Sequence, residues 1–488
     1  MKQTALRSLD VAPPTAPSGD AVVSVAALAL AMCCLPAFTR IVLTIPLHIP
    51  LNYNEGWNAY HAMDVIHGAA LYPPPSRLFF NNYPPISFYV VAAAARLVGD
   101  PIVAGRYISL IAFVFWTLLL VRTARRFRCR DSEAWFAATL FVAVTLLFSD
   151  YIGVNDPQFL GHAVAASGLL LLLRKPRSAL RLLFGALLLS VAVFIKQNLI
   201  ALPLACVVWL MQVDRPAGWR LIVIGAVVAI AGAGLCVAVY GPDAVMPAIA
   251  PRAYSLQKAG WMSLRWVVRM VVFISTSLIV VRALPQDEGV RFCGLYAATA
   301  GLLGCAFSGG EGVNWNVFFD GNWALCLSAA ISLNRLSQPG LDDRGPRRRA
   351  RLVAAYLIVP VIAVTVDARA AWRAPRPWLT ARAADAADAD RDVEFLRRHD
   401  GPTLCEDLAL CFWAGKPVEV DFFNTQQRLH GGWNGADELV RLVEMRQFGV
   451  VQTDLSTRSL GPRFEEALRR AYRVDYAGSN GRFWIPRQ

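Results

Sequence analysis

Charge is scarce in this chain. Only 17% of its 488 residues are Asp, Glu, Lys or Arg, while 56% are hydrophobic. Soluble globular chains carry nearer a quarter charged residues, so a water-soluble fold is excluded. Metal-binding spacing is missing too: neither the six histidines nor the ten cysteines fall into ligand patterns, which argues against zinc modules. There is no G-x-x-x-x-G-K-S/T, no G-x-S-x-G and no H-E-x-x-H. That removes the P-loop, nucleophile-elbow and zincin chemistries. No internal repeat is visible. The net charge of +13 suggests nucleic acid at first sight. Its Lys and Arg, however, sit in short loops between apolar runs, which is the positive-inside pattern of a membrane protein.

What the chain does have is long apolar runs. Ala21–Ile45, Trp135–Phe148, Leu221–Tyr240 and Val267–Val281 approach or reach spanning length. Pro84–Val98 covers only about 22 Å as a helix, short of a core of roughly 30 Å. It is expected to lie along the membrane surface, with a second such helix at Glu55–His67. Charge parity then predicts eleven spans, near 21–46, 103–121, 133–149, 158–173, 179–195, 198–212, 220–240, 263–282, 291–308, 317–333 and 352–367. The expected class is a polytopic α-helical membrane protein with a small C-terminal extracytoplasmic α/β domain. Its parts are a cytoplasmic tail 1–20 leading into an uncleaved anchor, a membrane domain 21–367 with a large outer loop 47–102, a polar linker 368–392, and the α/β domain 393–488. Within that domain, strands are expected at Pro402–Leu410, Pro417–Phe423, Phe448–Thr453 and Phe483–Pro486, and helices at Gly435–Arg446 and Pro462–Tyr472. Cys405 and Cys411 could pair if this domain faces an oxidising compartment.

The polar residues of the outer loops carry whatever chemistry there is. In Leu51-Asn-Tyr-Asn-Glu-Gly-Trp-Asn-Ala-Tyr60, Glu55 opens an interfacial helix and Asn58 lies about 60° from it. A carboxylate there either does work or simply complements the helix dipole. Asp156-Pro157 is a good helix start, but it shares a face with Glu55. Two carboxylates on one surface can take a proton from a hydroxyl or hold a divalent ion. Lys196 lies between two apolar runs at the outer boundary, where a lipid phosphate would be its partner and snorkelling is the plain alternative. Arg252 and Lys258 are further anion contacts in an outer loop. Asn314 and Asn316 close the Gly-rich turn Ser308–Asn316, which can bind sugar hydroxyls or a pyrophosphate-like head, or be only a tight turn.

Taken in order, these segments resemble the GT-C superfamily of glycosyltransferases, polytopic enzymes that use polyprenyl-phosphate sugar donors. The likeness rests on Asn54-Glu55 after the first span, Tyr83-Pro84-Pro85 with its aromatics, Leu97–Gly99 and Arg106, Asp156, Lys196, and the Asn314–Asn316 loop. The resemblance implies inverting transfer of a sugar to an acceptor hydroxyl on the outer face of the cytoplasmic membrane. Glu55 or Asp156 would be the base. Lys196, with Arg252 or Lys258, would neutralise the departing lipid phosphate, and Asn54, Asn58, Tyr83, Asn314 and Asn316 would contact substrate. The acceptor would be a glycan, a glycolipid or a protein. The family often has an acidic pair where this chain has Asn54-Glu55, so a divalent cation is left open. A transporter or lipid flippase, and a scaffold whose tail binds a partner, are the competing readings.

Overall fold

The computed structural model describes residues 19–74, 77–148, 151–244, 253–336, 348–358, 375–430, 436–454 and 460–488. Nine helices open the chain: α1 (Gly19–Thr44), α2 (Asn54–His67), α3 (Ile86–Val98), α4 (Pro101–Arg126), α5 (Asp131–Phe148), α6 (Gln158–Leu172), α7 (Ala179–Ile195), α8 (Ala201–Val213) and α9 (Arg215–Tyr240). They are followed by α10 (Leu256–Arg269), α11 (Val271–Ala283), α12 (Glu288–Phe307) and α13 (Phe319–Arg335). Among the described residues, four helices are long and apolar enough to cross a membrane: Asp20–Thr44, Pro101–Arg126, Arg215–Tyr240 and Glu288–Phe307. The α10–α11 pair, bent by 72°, makes a broken fifth. The other expected spans fall on shorter helices, such as the 13 residues of α8 and the 15 of α6. The last expected span is helical over 348–358, and the rest of it lies outside the described residues.

Helices α2 and α3 stand where the two surface helices are expected. Each stops where a glycine takes a left-handed conformation, Gly68 at φ 68° and Gly99 at φ 90°, which few side chains tolerate. Asp100 then caps α4, its carboxylate accepting the Ile102 and Val103 amides, with Pro101 at the first helical position. At the opposite, Arg-rich end the basic residues are not simply solvated. Arg349 donates to the buried Glu133 carboxylate at 2.8 Å and lies 2.9 Å from Asp20. The remaining Glu133 oxygen accepts from Asn334 and the Arg130 amide. This ties α1, α5, α13 and the 348–358 helix into one bundle.

The C-terminal part corrects several expectations. From residue 375 the expected linker is a helix, α14 (Pro375–Arg398). Ala is the best helix former, and Arg–Asp pairs three apart, such as Arg382–Asp385, support the helix surface. The first expected strand shrinks to β1 (Thr403–Cys405), because Asp407 caps a short helix, α15 (Leu408–Trp413). Pro417–Phe423 is not a strand; its end enters α16 (Phe422–His430). The amphipathic helices α17 (Ala436–Glu444) and α18 (Pro462–Ala471) and the strand β2 (Val450–Thr453) fall where expected. An unforeseen strand, β3 (Tyr472–Gly478), forms a hairpin with β4 (Gly481–Pro486). The sheet order is β1-β2-β4-β3, with β1 parallel to β2 and the other two pairs antiparallel. Cys405 and Cys411 are joined, S–S 2.04 Å, fixing α15 to the end of β1.

This domain sits directly on α2 and the segment that follows it. A Cβ on Gly56 of α2 would fall 2.3 Å from the backbone of Leu408 and Ala409, so α2 and α15 touch main chain to main chain. Tyr60 donates to the Lys416 carbonyl at 2.7 Å, and Thr425 to the Leu78 carbonyl at 3.1 Å. The end of the bundle carrying residues 47–102 is thus roofed by the C-terminal domain.

Candidate active site

The floor of the roofed region is a buried ion pair. Glu55, in the first turn of α2, and Arg106, in the second turn of α4, are both 0% exposed. Arg106 Nε donates to Glu55 Oε1 at 2.7 Å and Nη2 to Oε2 at 2.6 Å. The other guanidinium bonds go to the carbonyls of Ile45, Leu47 and Ile49. Glu55 also accepts the amides of Asn155 at 3.0 Å and Leu51 at 3.1 Å. Such a bidentate pair is the strong form of a charge-assisted hydrogen bond. It ties the end of α1, the start of α2, α4 and the 151–157 loop together. Asn58 continues the tie, donating to the Asn155 carbonyl at 2.7 Å. Gly105 leaves room for Asn155, whose Oδ1 lies 1.8 Å from where a Cβ would stand.

The other carboxylate is held differently. Asp156 Oδ1 accepts the amide of Gln158, the first residue of α6, at 2.8 Å, while Pro157 takes the N-cap position. Its partner is Lys196, whose Nζ lies 2.8 Å from Oδ1 and 3.0 Å from Oδ2. The same ammonium stands 5.2 Å from the centre of the Tyr83 ring, within cation–π range. The next residue, Gln197, donates to the Asn82 carbonyl, and Asn82 donates to Asn424 of α16. The Asp156–Lys196 pair therefore sits between the first loop, the start of α6 and the roof. Asn316 joins from below, donating to Gln158 Oε1 at 3.0 Å.

Of the expected site residues, Glu55, Asn58, Tyr83, Asp156, Lys196 and Asn316 are thus brought together. Asn54 opens α2 half-buried, its amide bonded to Asn52. Asn314 is exposed and its side chain accepts only the next amide, that of Trp315. Lys258 is turned onto the Gly310 and Val313 carbonyls at 2.8 and 2.7 Å. In this arrangement its ammonium holds the Gly-rich turn in shape. Arg252 lies outside the described residues. Sequence reasoning missed Asn155, Gln158 and the α16 residues. The amide-rich Asn155-Asp156-Pro157-Gln158 run was the available signal for the first two.

A divalent cation does not fit this donor set. Among the described residues no group of three or more His, Cys, Asp or Glu is placed to hold a metal ion. Each of the two site carboxylates is already paired with a cationic side chain.

The roof is latched by a titratable pair. His48 lies 3.3 Å from Asp100 Oδ2 and stacks on Trp413 of α15, whose indole N–H donates to the same carboxylate at 3.0 Å. The bond to Asp100 raises the His48 pKa above its ordinary value, partly offset by burial. Burial pushes the Asp100 carboxyl up, but the bonds from His48, Trp413 and the helix amides outweigh it and hold it low. The latch is therefore complete below the ordinary His value of about 6.5 and is lost as pH rises through the raised His48 value. On the acid side it is lost as pH falls below about 3.9 through the lowered Asp100 value. His48 is half exposed, so the effect is at most about 1 kcal/mol. Hydrogen exchange of the Leu408–Trp413 amides should show protection falling modestly from about pH 6 to pH 8. An equal fall in His48→Gln would remove the latch.

No family model matches the chain, and no curated protein matches it in sequence. Solved structures do match in shape. The crystal structure of ArnT from Cupriavidus metallidurans bound to undecaprenyl phosphate superposes with TM-score 0.61 at 14% identity, over 96% of this chain and 98% of that one. Its apo form gives 0.63 at 14% identity, over 93% and 97%. The archaeal oligosaccharyltransferase AglB from Archaeoglobus fulgidus, in complex with an inhibitory peptide and a dolichol-phosphate, gives 0.51 at 10% identity, over 92% and 74%. The chain shares the fold of these structures. The likeness takes in the C-terminal domain as well as the helices, because the ArnT superposition runs over nearly the whole of both chains.

Proposed function

We propose that this protein is a membrane glycosyltransferase that moves a sugar from a polyprenyl-phosphate donor to an acceptor hydroxyl. The observation that carries the reading is the Asp156–Lys196 pair beside Tyr83, roofed by the C-terminal domain in a GT-C fold. The chemistry needs a base for the acceptor and a cation for the leaving group. Asp156 is the better base of the two carboxylates. Glu55 has both oxygens taken by Arg106 and by backbone amides. Asp156 Oδ2 is held only by Lys196, a flexible side chain that can exchange one anion for another.

In this mechanism the donor phosphate draws Lys196 away from Asp156. The freed carboxylate takes the acceptor O–H proton as the acceptor oxygen attacks the anomeric carbon from the face opposite the phosphate. The bond from that carbon to the phosphate oxygen breaks, its electron pair leaves on the lipid phosphate, and Lys196 balances the new charge. The configuration inverts. Asn58 and the Glu55–Arg106 pair hold the loops that carry Asp156. We place the site on the outer face of the cytoplasmic membrane, as the positive-inside pattern requires. The acceptor is an envelope glycan, a glycolipid or a protein. Purified protein should release undecaprenyl phosphate from undecaprenyl-phosphate sugars when a membrane extract supplies the acceptor. Intact donor after incubation with every common sugar would count against the reading.

A further inference from the structure

A chain of hydrogen bonds leads from the site into the helical core, and the mechanism above leaves it unused. Gln158 and His162 stand one turn apart on α6, and Gln158 Nε2 lies 2.8 Å from His162 Nε2. On the far side of the ring, His162 Nδ1 lies 3.4 Å from Asp320 Oδ1 on α13. Tyr296 on α12 donates its hydroxyl to that same oxygen. Trp116 on α4 stacks flat on the imidazole, centroids 4.2 Å apart. All five side chains are buried. Ionisable groups in such a place are costly to keep without a task.

The donor directions are fixed by chemistry. Asn316 Nδ2 donates to Gln158 Oε1, so the Gln158 amide nitrogen must face His162. An NH₂ group only donates, so His162 Nε2 accepts and its proton sits on Nδ1, toward the Asp320 carboxylate. That is a neutral imidazole with every member satisfied. Protonating Nε2 would set two donors against each other. The chain regains its bonds only if Gln158 turns its Oε1 to the ring and its Nε2 to Asn316, and Asn316 turns over as well. Both arrangements contain the same number of bonds and differ at the outer end. With His162 neutral, the free amide atom of Asn316 is Oδ1, which accepts no bond from the described residues. With His162 charged, the free atom is Nδ2, a donor.

We propose that His162 is a positioning residue whose protonation, relayed through Gln158, sets which amide atom Asn316 presents, Asn316 being tied to Asp156 through Gln158. The inference rests on the glycosyl-transfer reading only in naming the ligand, a lipid phosphate. The charged and titratable groups facing His162 are Asp320 and Tyr296 from the neighbouring helices and, beyond Gln158, Asp156 with Lys196. A phosphate accepts hydrogen bonds, so it is held better by the charged arrangement.

Two measurements test this. The first is ¹⁵N NMR of histidine-labelled protein, with His162 assigned by its loss in His162→Gln. Neutral His162 is expected to carry its proton on Nδ1, and a proton on Nε2 would overturn the chain. The second is binding of undecaprenyl phosphate in nanodiscs across about pH 5 to 8. Wild-type affinity is expected to fall by about tenfold more than that of His162→Gln as pH rises, the scale of one hydrogen bond to a charged group. Titration of the phosphate itself is common to both proteins and cancels. Asn316→Ala should lose the same extra fall while keeping the His162 tautomer. Parallel pH profiles in all three would overturn the proposal. Failure of the wild type to bind undecaprenyl phosphate at any pH would instead sink the glycosyl-transfer reading, while the tautomer would still decide the chain.

Discussion

Glu55→Gln is expected to destabilise the protein by about 3–5 kcal/mol, the usual cost of removing one partner from a buried ion pair. Arg106 would keep its charge, 0% exposed, with only the three carbonyls of Ile45, Leu47 and Ile49 fully retained. Glutamine offers one acceptor where the carboxylate offered two, and its NH₂ would face a guanidinium. The loss would fall on the joint between α2, α4 and the 151–157 loop, so the roof would loosen with it. Thermal unfolding in detergent measures the effect, and Arg106→Met with the double variant completes the cycle. A coupling of more than about 2 kcal/mol between the two positions is expected for contacting charges. The outcome bears directly on mechanism. If Glu55→Gln is as stable as wild type yet inactive, Glu55 is the chemical group and the clamp assignment is wrong. If activity falls only with the folded fraction, Glu55 is scaffold.

That clamp also shows where sequence reasoning ran out. Glu55 stood out because a carboxylate on a surface helix is costly, and Arg106 only as part of the family resemblance. Nothing local joined them, since the bond crosses 51 positions. Helices α2 and α3 were legible as short separate segments, and the start of α6 from its Asp156-Pro157 pair. By contrast, Ala/Arg/Asp composition in 375–392 was taken for linker although its charge spacing suits a helix. The strand Tyr472–Gly478 overlaps the expected helix only at Tyr472, and most of its residues are exposed, so it carries little alternating apolar signal. The roof contacts were the least accessible. Asn82 meets Asn424 across 342 positions, and an amide pair carries no periodic signal. Lys258 was chosen for its charge, and its bonds to the carbonyls of a glycine-rich turn had no local signal.

Asp156→Asn is the substitution that should silence the enzyme while leaving it folded. Asparagine keeps an oxygen to cap the Gln158 amide and can still accept one bond from Lys196, so the start of α6 survives. What it loses is the ability to take a proton. General-base removal costs about 10²–10⁴-fold in turnover, and that drop is expected at unchanged affinity for undecaprenyl phosphate. Lys196→Gln should behave differently. In the proposed mechanism the cation serves the leaving phosphate, so both turnover and lipid affinity should fall, with turnover down by about 10²–10³-fold, as for a lost transition-state charge contact. Lys196→Gln also leaves Asp156 without its counter-charge in a buried setting, so its melting temperature has to be read beside its rate. A split of this kind, turnover alone for Asp156 and turnover with binding for Lys196, assigns base and phosphate partner separately. An Asp156→Asn enzyme within about tenfold of wild type would remove Asp156 from the proton transfer. With Glu55 enclosed by Arg106, the acceptor would then need a base from the roof, and the buried Asp421, next to Asn424 on α16, would be the next carboxylate to replace.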